Sequence, residues 1–164
     1  MSEKQYKLVR CVINGEKREA MVDVRASLTD MLRNDYRLTS VKKGCEAGEC
    51  GACTVLLDGK SVNSCIYLSV WADGHSILTV EGLTKENGEL HPIQQAFVEE
   101  AAIQCGFCTP GLVMTGVEIA NSGKTYTREE LRELISGHLC RCTGYENILN
   151  ALERVVGRKE NGTL

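Results

Sequence analysis

Aromatic side chains are scarce in this sequence: one Trp, five Tyr and two Phe serve 164 residues. With 43% hydrophobic residues the chain can bury a core, but a modest one, in one domain or two small ones. Basic charge is scarce as well. Nineteen Lys and Arg face twenty-two Asp and Glu, and the Lys42-Lys43 pair stands alone, so the basic stripe of a nucleic-acid-binding surface is excluded. Long apolar runs are missing: no window reaches the length of a membrane span, and the opening MSEKQYKLVR lacks the apolar centre of a secretory signal. A cytoplasmic protein without membrane or nucleic-acid partners is expected, in which the Asn161 sequon carries no meaning.

What the chain has in abundance is cysteine and glycine, nine of the first and sixteen of the second. Thiols stay reduced in the cytoplasm, so nine of them point to metal or redox chemistry rather than to a disulfide scaffold. The densest stretch is GCEAGECGAC, residues 44–53, which suits neither helix nor strand.

The first half reads as strand and turn. KLVRCVI, Asn14-Gly15 and KREAMVDV form a hairpin signal, with Val9, Cys11 and Ile13 on one face and Cys11 a core residue. Ser27 and Asp30 resemble a helix cap, and Leu28, Met31 and Leu32 give a short amphipathic helix. CTVLLDGKSV is a second hairpin turning at Asp58-Gly59, and SILTVEGL a further strand. A small mixed sheet with a helix packed on it is expected. From about residue 90 the pattern becomes helical. Pro92 opens a helix to about Ile103, and Pro110, capped by Thr109, opens one to about Ala120. Thr127-x-x-Glu130 and Thr143-x-x-Glu146 are capping boxes for helices to about Ser136 and Val156. The predicted architecture is α+β: a sheet domain over 1–83, a charged linker at 84–90, and a bundle of four short helices over 91–164.

With Cys11 set aside, eight cysteines remain in two sets of four. Cys45, Cys50, Cys53 and Cys65 are separated by four, two and eleven residues; Cys105, Cys108, Cys140 and Cys142 by two, thirty-one and one. The C-x4-C-x2-C order of the first set is that of plant-type [2Fe-2S] ferredoxins. An anionic cluster needs backbone N–H groups aimed at it, and Gly44, Gly48 and Gly51 give the loop the freedom to aim them. In the second set Cys108 and Cys142 each precede an expected helix start, where free N–H groups and the helix dipole favour thiolate and cluster. Structural zinc also takes four cysteines, although a final gap of one residue is unusual for zinc ribbons; a two-zinc interaction module stays open. A thioredoxin-like redox site would need a strand before Cys105, and none is expected.

GCEAGECGACTV, QCGFCTPG and LCRCTGY together resemble the small iron-sulfur subunit of the molybdenum hydroxylases, the family of xanthine dehydrogenase, aldehyde oxidase and carbon monoxide dehydrogenase. The resemblance covers nearly the whole chain. It implies a plant-ferredoxin-like β-grasp domain followed by a four-helix bundle, each holding one [2Fe-2S] cluster. The gap from Cys53 to Cys65 is shorter than in plant ferredoxins and is similar to that of the hydroxylase subunit. The resemblance further implies a molybdopterin-binding large subunit and an FAD-binding medium subunit as partners in a hetero-oligomer, one form of which is a dimer of heterotrimers. Electrons would pass from molybdenum through the helical cluster and the β-grasp cluster to FAD. Gln104 and Cys142 match positions that contact the pterin. SCIYLSVWADG and the chain length are similar to bacterial xanthine dehydrogenase subunits, which implies purine oxidation; aldehydes, N-heterocycles and carbon monoxide are the alternatives. No dinucleotide fingerprint, P-loop or catalytic triad is present, so no substrate site is expected here.

Among the remaining residues, Arg141 lies between two expected ligands, where its charge could stabilise a reduced cluster or meet solvent. His75, His91 and His138 share no spacing that suggests ligation. Trp71 is expected to pack or to anchor a subunit contact, and Phe107 to shield its cluster from water. The tail GRKENGTL is expected to fray.

Overall fold

The computed structural model describes residues 5–85 and 87–157; most of the tail expected to fray lies outside them. Strands β1 (Tyr6–Ile13) and β2 (Glu16–Asp23) form the expected antiparallel hairpin. Its two-residue turn puts both Asn14 and Gly15 at positive φ, the mirror-image turn that matches strand twist. Ser27 caps α1 (Leu28–Asp30), accepting from the Asp30 N–H, and the helix widens into a π turn over Met31–Asp35. Strands β3 (Thr54–Leu57) and β4 (Lys60–Asn63) pair across Asp58-Gly59, again with positive φ at both turn residues. β5 (Ser76–Leu78) completes a sheet of order β2-β1-β5-β3-β4, in which only β1 and β5 run parallel.

β5 is shorter than the SILTVEGL reading. The Asn14 carboxamide accepts the Thr79 N–H, and the chain then turns through a 3-10 turn at Val80–Gly82. Four helices follow: α2 (Pro92–Glu99), α3 (Thr109–Asn121), α4 (Arg128–Leu134) and α5 (Glu146–Val156). α2 stops four residues before the expected Ile103 because Ala101 takes φ +49°, which no α-helix continues. Its start is fixed by His91, whose ring accepts the Ile93 N–H while the Gln94 side chain returns to the His91 N–H. The Thr127-Glu130 box forms as expected. The Thr143-Glu146 box does not. Gly144 and Tyr145 both adopt positive φ, which places Tyr145 rather than Thr143 at the cap of α5.

Two apolar clusters hold the chain together. One gathers Val9, Cys11, Ile13, Leu28, Leu32, Val55 and Ile77 between the sheet and α1; the other gathers Ile93, Phe97, Leu112, Leu131, Ile148 and Leu152 among the helices. The sheet serves both. Side chains alternate along a strand, so Val55 enters the first cluster while its neighbour Leu56 enters the second, and Leu78 packs on the second while Ile77 fills the first. Residues 84, 85 and 87–90 are exposed, and the Lys85 N–H reaches the Glu89 carbonyl at 3.1 Å.

Candidate metal centre

Residues 44–53 form an irregular loop between the π turn and β3. The loop wraps around Cys45, whose sulfur accepts the N–H groups of Ala47 (3.4 Å) and Glu49 (3.3 Å). These donors, with the Cys50 N–H, hold the Cys45 thiol down at about 7, so the thiolate needed of a metal ligand is accessible near neutrality. Gly48 and Gly51 sit at φ +80° and +69°, the left-handed conformations the glycine pattern anticipates. Gly44 does not share them. Its lack of a side chain instead makes room for sulfur, since a Cβ there would come within 2.7 Å of Cys50 Sγ. The additional left-handed residue is Glu46, at φ +54°, which composition does not reveal.

Cys45 meets Cys50, and Cys53 meets Cys65. Burial, reinforced by the Cys53 thiol, pushes Cys65 up to about 11 against the lowering effect of the Gly48 N–H. In the second set the pairing is nested: Cys105 meets Cys142 and Cys108 meets Cys140. Burial and the Cys140 thiol push Cys108 up to about 12. At Cys140 burial is outweighed by the Thr143 hydroxyl and N–H, the Cys142 N–H and the Cys108 thiol, which bring it to about 7. The Cys105 thiol raises Cys142.

Within each set the two pairs also act on one another, Cys45 on Cys65 and Cys105 on Cys108, so each set is a group of four thiols made of two contacting pairs. Among the described residues no group of three or more His, Cys, Asp or Glu side chains converges on one ion position. A mononuclear tetrahedral site needs four ligands around a point, whereas a two-iron cluster takes two thiolates at each iron. The donor set fits the second arrangement in both lobes.

The two helix starts expected to favour thiolate in the second set do not do so. Cys108 is the N-terminal cap of α3, but its side chain accepts no N–H of the helix and burial dominates at its thiol. Cys142 is separated from α5 by the left-handed Gly144-Tyr145 step. Thr143, freed from capping, places its hydroxyl 3.1 Å from Cys140 Sγ and accepts the Tyr145 N–H. The Tyr145 hydroxyl accepts the Cys140 N–H (2.8 Å) and donates to the His138 carbonyl (3.0 Å), clamping the turn that carries Cys140.

His138, which shares no ligating spacing with the other histidines, has a packing role instead. Its ring is buried, its Nε2 lies 2.7 Å from Thr115 Oγ1, and desolvation drives its pKa down to about 4, so it is neutral. His75 pairs with Asp58 at the surface, Trp71 packs edge-to-face on Tyr67 at 5.4 Å, and Cys11 is buried in the sheet core. Gln104, Cys105, Arg141 and Cys142 are exposed, and Cys105 meets Cys142.

Comparison with known proteins bears on this geometry directly. Residues 11–77 match the 2Fe-2S iron-sulfur cluster binding domain, and residues 79–153 the [2Fe-2S] binding domain. The chain is 48% identical to the nicotine 6-hydroxylase small subunit of Paenarthrobacter nicotinovorans, over 91% of this chain and 89% of that one. It is 44% identical to the xanthine dehydrogenase iron-sulfur-binding subunit of Escherichia coli O157:H7, over 93% and 96%. Among solved structures, a chain of quinoline 2-oxidoreductase from Pseudomonas putida 86 superposes with a TM-score of 0.85 at 45% identity, covering 90% of this chain and 91% of that chain.

Proposed function

Because the chain belongs to the family of iron-sulfur electron-transfer subunits of the molybdenum hydroxylases, we propose that its two thiol quartets are the ligand sets of two [2Fe-2S] clusters. Cys45, Cys50, Cys53 and Cys65 hold the first, and Cys105, Cys108, Cys140 and Cys142 the second. The observation that carries this reading is the grouping of four thiols in each lobe as two contacting pairs. Each cluster, when bound, supplies one-electron storage; the polypeptide supplies the ligands, the N–H groups that favour anionic sulfur, and shielding from water. The chain performs no bond chemistry on a substrate.

The partners are read from the exposed residues around the Cys105–Cys142 pair. Gln104 and Cys142 are exposed there, flanked in sequence by Ile103, 42% exposed, and by Arg141, which a partner subunit would cover. A molybdopterin subunit docks over this pair, with Gln104 and Cys142 toward the pterin, and an FAD subunit accepts electrons from the first lobe. The substrate is a nitrogen heteroaromatic compound. Nicotine and xanthine in the names of the relatives, and quinoline in that of the structural neighbour, share such a ring. Purines, the expectation from the SCIYLSVWADG stretch, are one class within it.

Purification of the complex with its native partners tests the reading. About four irons per chain are expected, with a visible absorbance that dithionite bleaches; zinc in place of iron would refute it. Turnover of purines, pyridines and aldehydes by the same preparation assigns the substrate. An enzyme active on aldehydes alone would refute the heteroaromatic assignment while leaving the ligand sets intact.

A further inference from the structure

The two lobes touch through residues that adjoin the thiols. The Phe107 ring lies 3.5 Å from where a Gly44 Cβ would stand; the Leu139 N–H donates to the Cys50 carbonyl at 3.1 Å; and the His138 ring abuts Gly51. At each contact a residue one or two positions from a thiol of one set meets a thiol residue of the other set or its immediate neighbour. The approach is so close that two glycines are required. A Cβ on Gly51 would collide with His138 Nδ1 and come within 2.7 Å of the Gly137 carbonyl, and one on Gly111 would collide with the Gly51 carbonyl oxygen.

Among these contacts only His138 contributes a rigid buried ring, 6% exposed, that is fixed from behind. Its Nε2 is held by Thr115 at the middle of α3, the helix that Cys108 caps, while its opposite edge meets the loop of Cys50 and Cys53. We propose that His138 is a positioning residue which fixes the separation of the two clusters, its ring acting as a spacer between the loop of the first set and the helix of the second. The proposal rests on the ligand sets given above. His138 ligates neither cluster. It acts through Gly51 on one side and Thr115 on the other.

The test is electron paramagnetic resonance of the dithionite-reduced complex, in which each reduced cluster splits the signal of the other by an interaction that falls with the cube of their distance. His138→Ala and Thr115→Val are compared with the unaltered protein and with Thr127→Ala, a cap variant remote from the junction. The expected result is a changed splitting in the first two, larger where the lobes close over the lost ring and smaller or smeared where they part, with iron content and the principal g values of each cluster retained, and no change in the third. Should His138→Ala fail to assemble, Thr115→Val carries the test, because it keeps the ring and removes only its anchor. Unchanged splitting in fully loaded variants overturns the proposal, as does a shift in one cluster's g values alone. Absence of two reduced signals from the unaltered complex would instead overturn the ligand assignment beneath it.

Discussion

The two thiol quartets solve one problem by different means. The first is built by a loop: three of its cysteines lie within nine residues, Cys45 meets Cys50 inside it while Cys53 meets Cys65 beyond β4, and glycines and local N–H groups shape the cradle. The second is built by assembly: its pairs join Cys105 to Cys142 and Cys108 to Cys140 across the length of α3 and α4, and its polar support comes from Thr143 and Tyr145. A loop site depends on backbone conformation, which short sequence can encode. An assembled site depends on helix packing, and so on the core of its lobe.

The largest test of that contrast is removal of one ligand from each set. Cys50→Ser should abolish the first reduced-cluster signal and leave the second, and Cys108→Ser the reverse, with roughly half the iron lost in each case. Loss of both signals from either variant would show that the shared sheet makes the lobes one folding unit. Core truncation comes next. Phe97→Ala, in the helical cluster, should cost about 3–5 kcal/mol in chemical denaturation and lower occupancy of the second site before the first. Leu28→Ala, beneath the sheet, should cost about 3–4 kcal/mol, and its effect on the first site should be the smaller because the loop makes most of its own contacts. Equal loss of both sites from the two variants would erase the distinction.

Tyr145→Phe removes a hydroxyl that serves one donor and one acceptor in the assembled site. It should destabilise by about 1–2 kcal/mol and perturb only the second signal. The smallest effect concerns acid. Burial favours the protonated form of Glu81, but the Ser40 and Thr79 hydroxyls and the Ser40 N–H outweigh it and hold the carboxyl below its usual value. A depressed folded pKa contributes stability that is present above the ordinary glutamate range and is lost as pH falls through the folded value. Thermal melts should therefore show a decline below about pH 4.5 that Glu81→Gln makes shallower; an identical decline in the variant would remove Glu81 as a source.

Legibility in the sequence followed the range of the interactions. Asn14-Gly15 and Asp58-Gly59 named their turns because positive φ at two adjacent positions is a local demand. Thr127-Glu130 named its cap for the same reason, since both partners lie within one turn of helix. Thr143-Glu146 has the same spacing and misleads. Its backbone is diverted through Gly144 and Tyr145 so that Thr143 can reach Cys140, and nothing within four residues announces that competition. His138 was opaque for a stronger reason: its partners, Thr115 and Gly51, lie 23 and 87 positions away.

Cysteine spacing, turn chemistry and the change from alternating to helical periodicity were settled by the chain itself, because each expresses a constraint that acts over a few residues. Which thiols face each other across the helices, which face of the shared strands serves which core, and the buried ring between the lobes were settled only by folding. They depend on backbones that approach closely enough to exclude even a methyl group, and such an approach is a property of packed elements rather than of any segment alone.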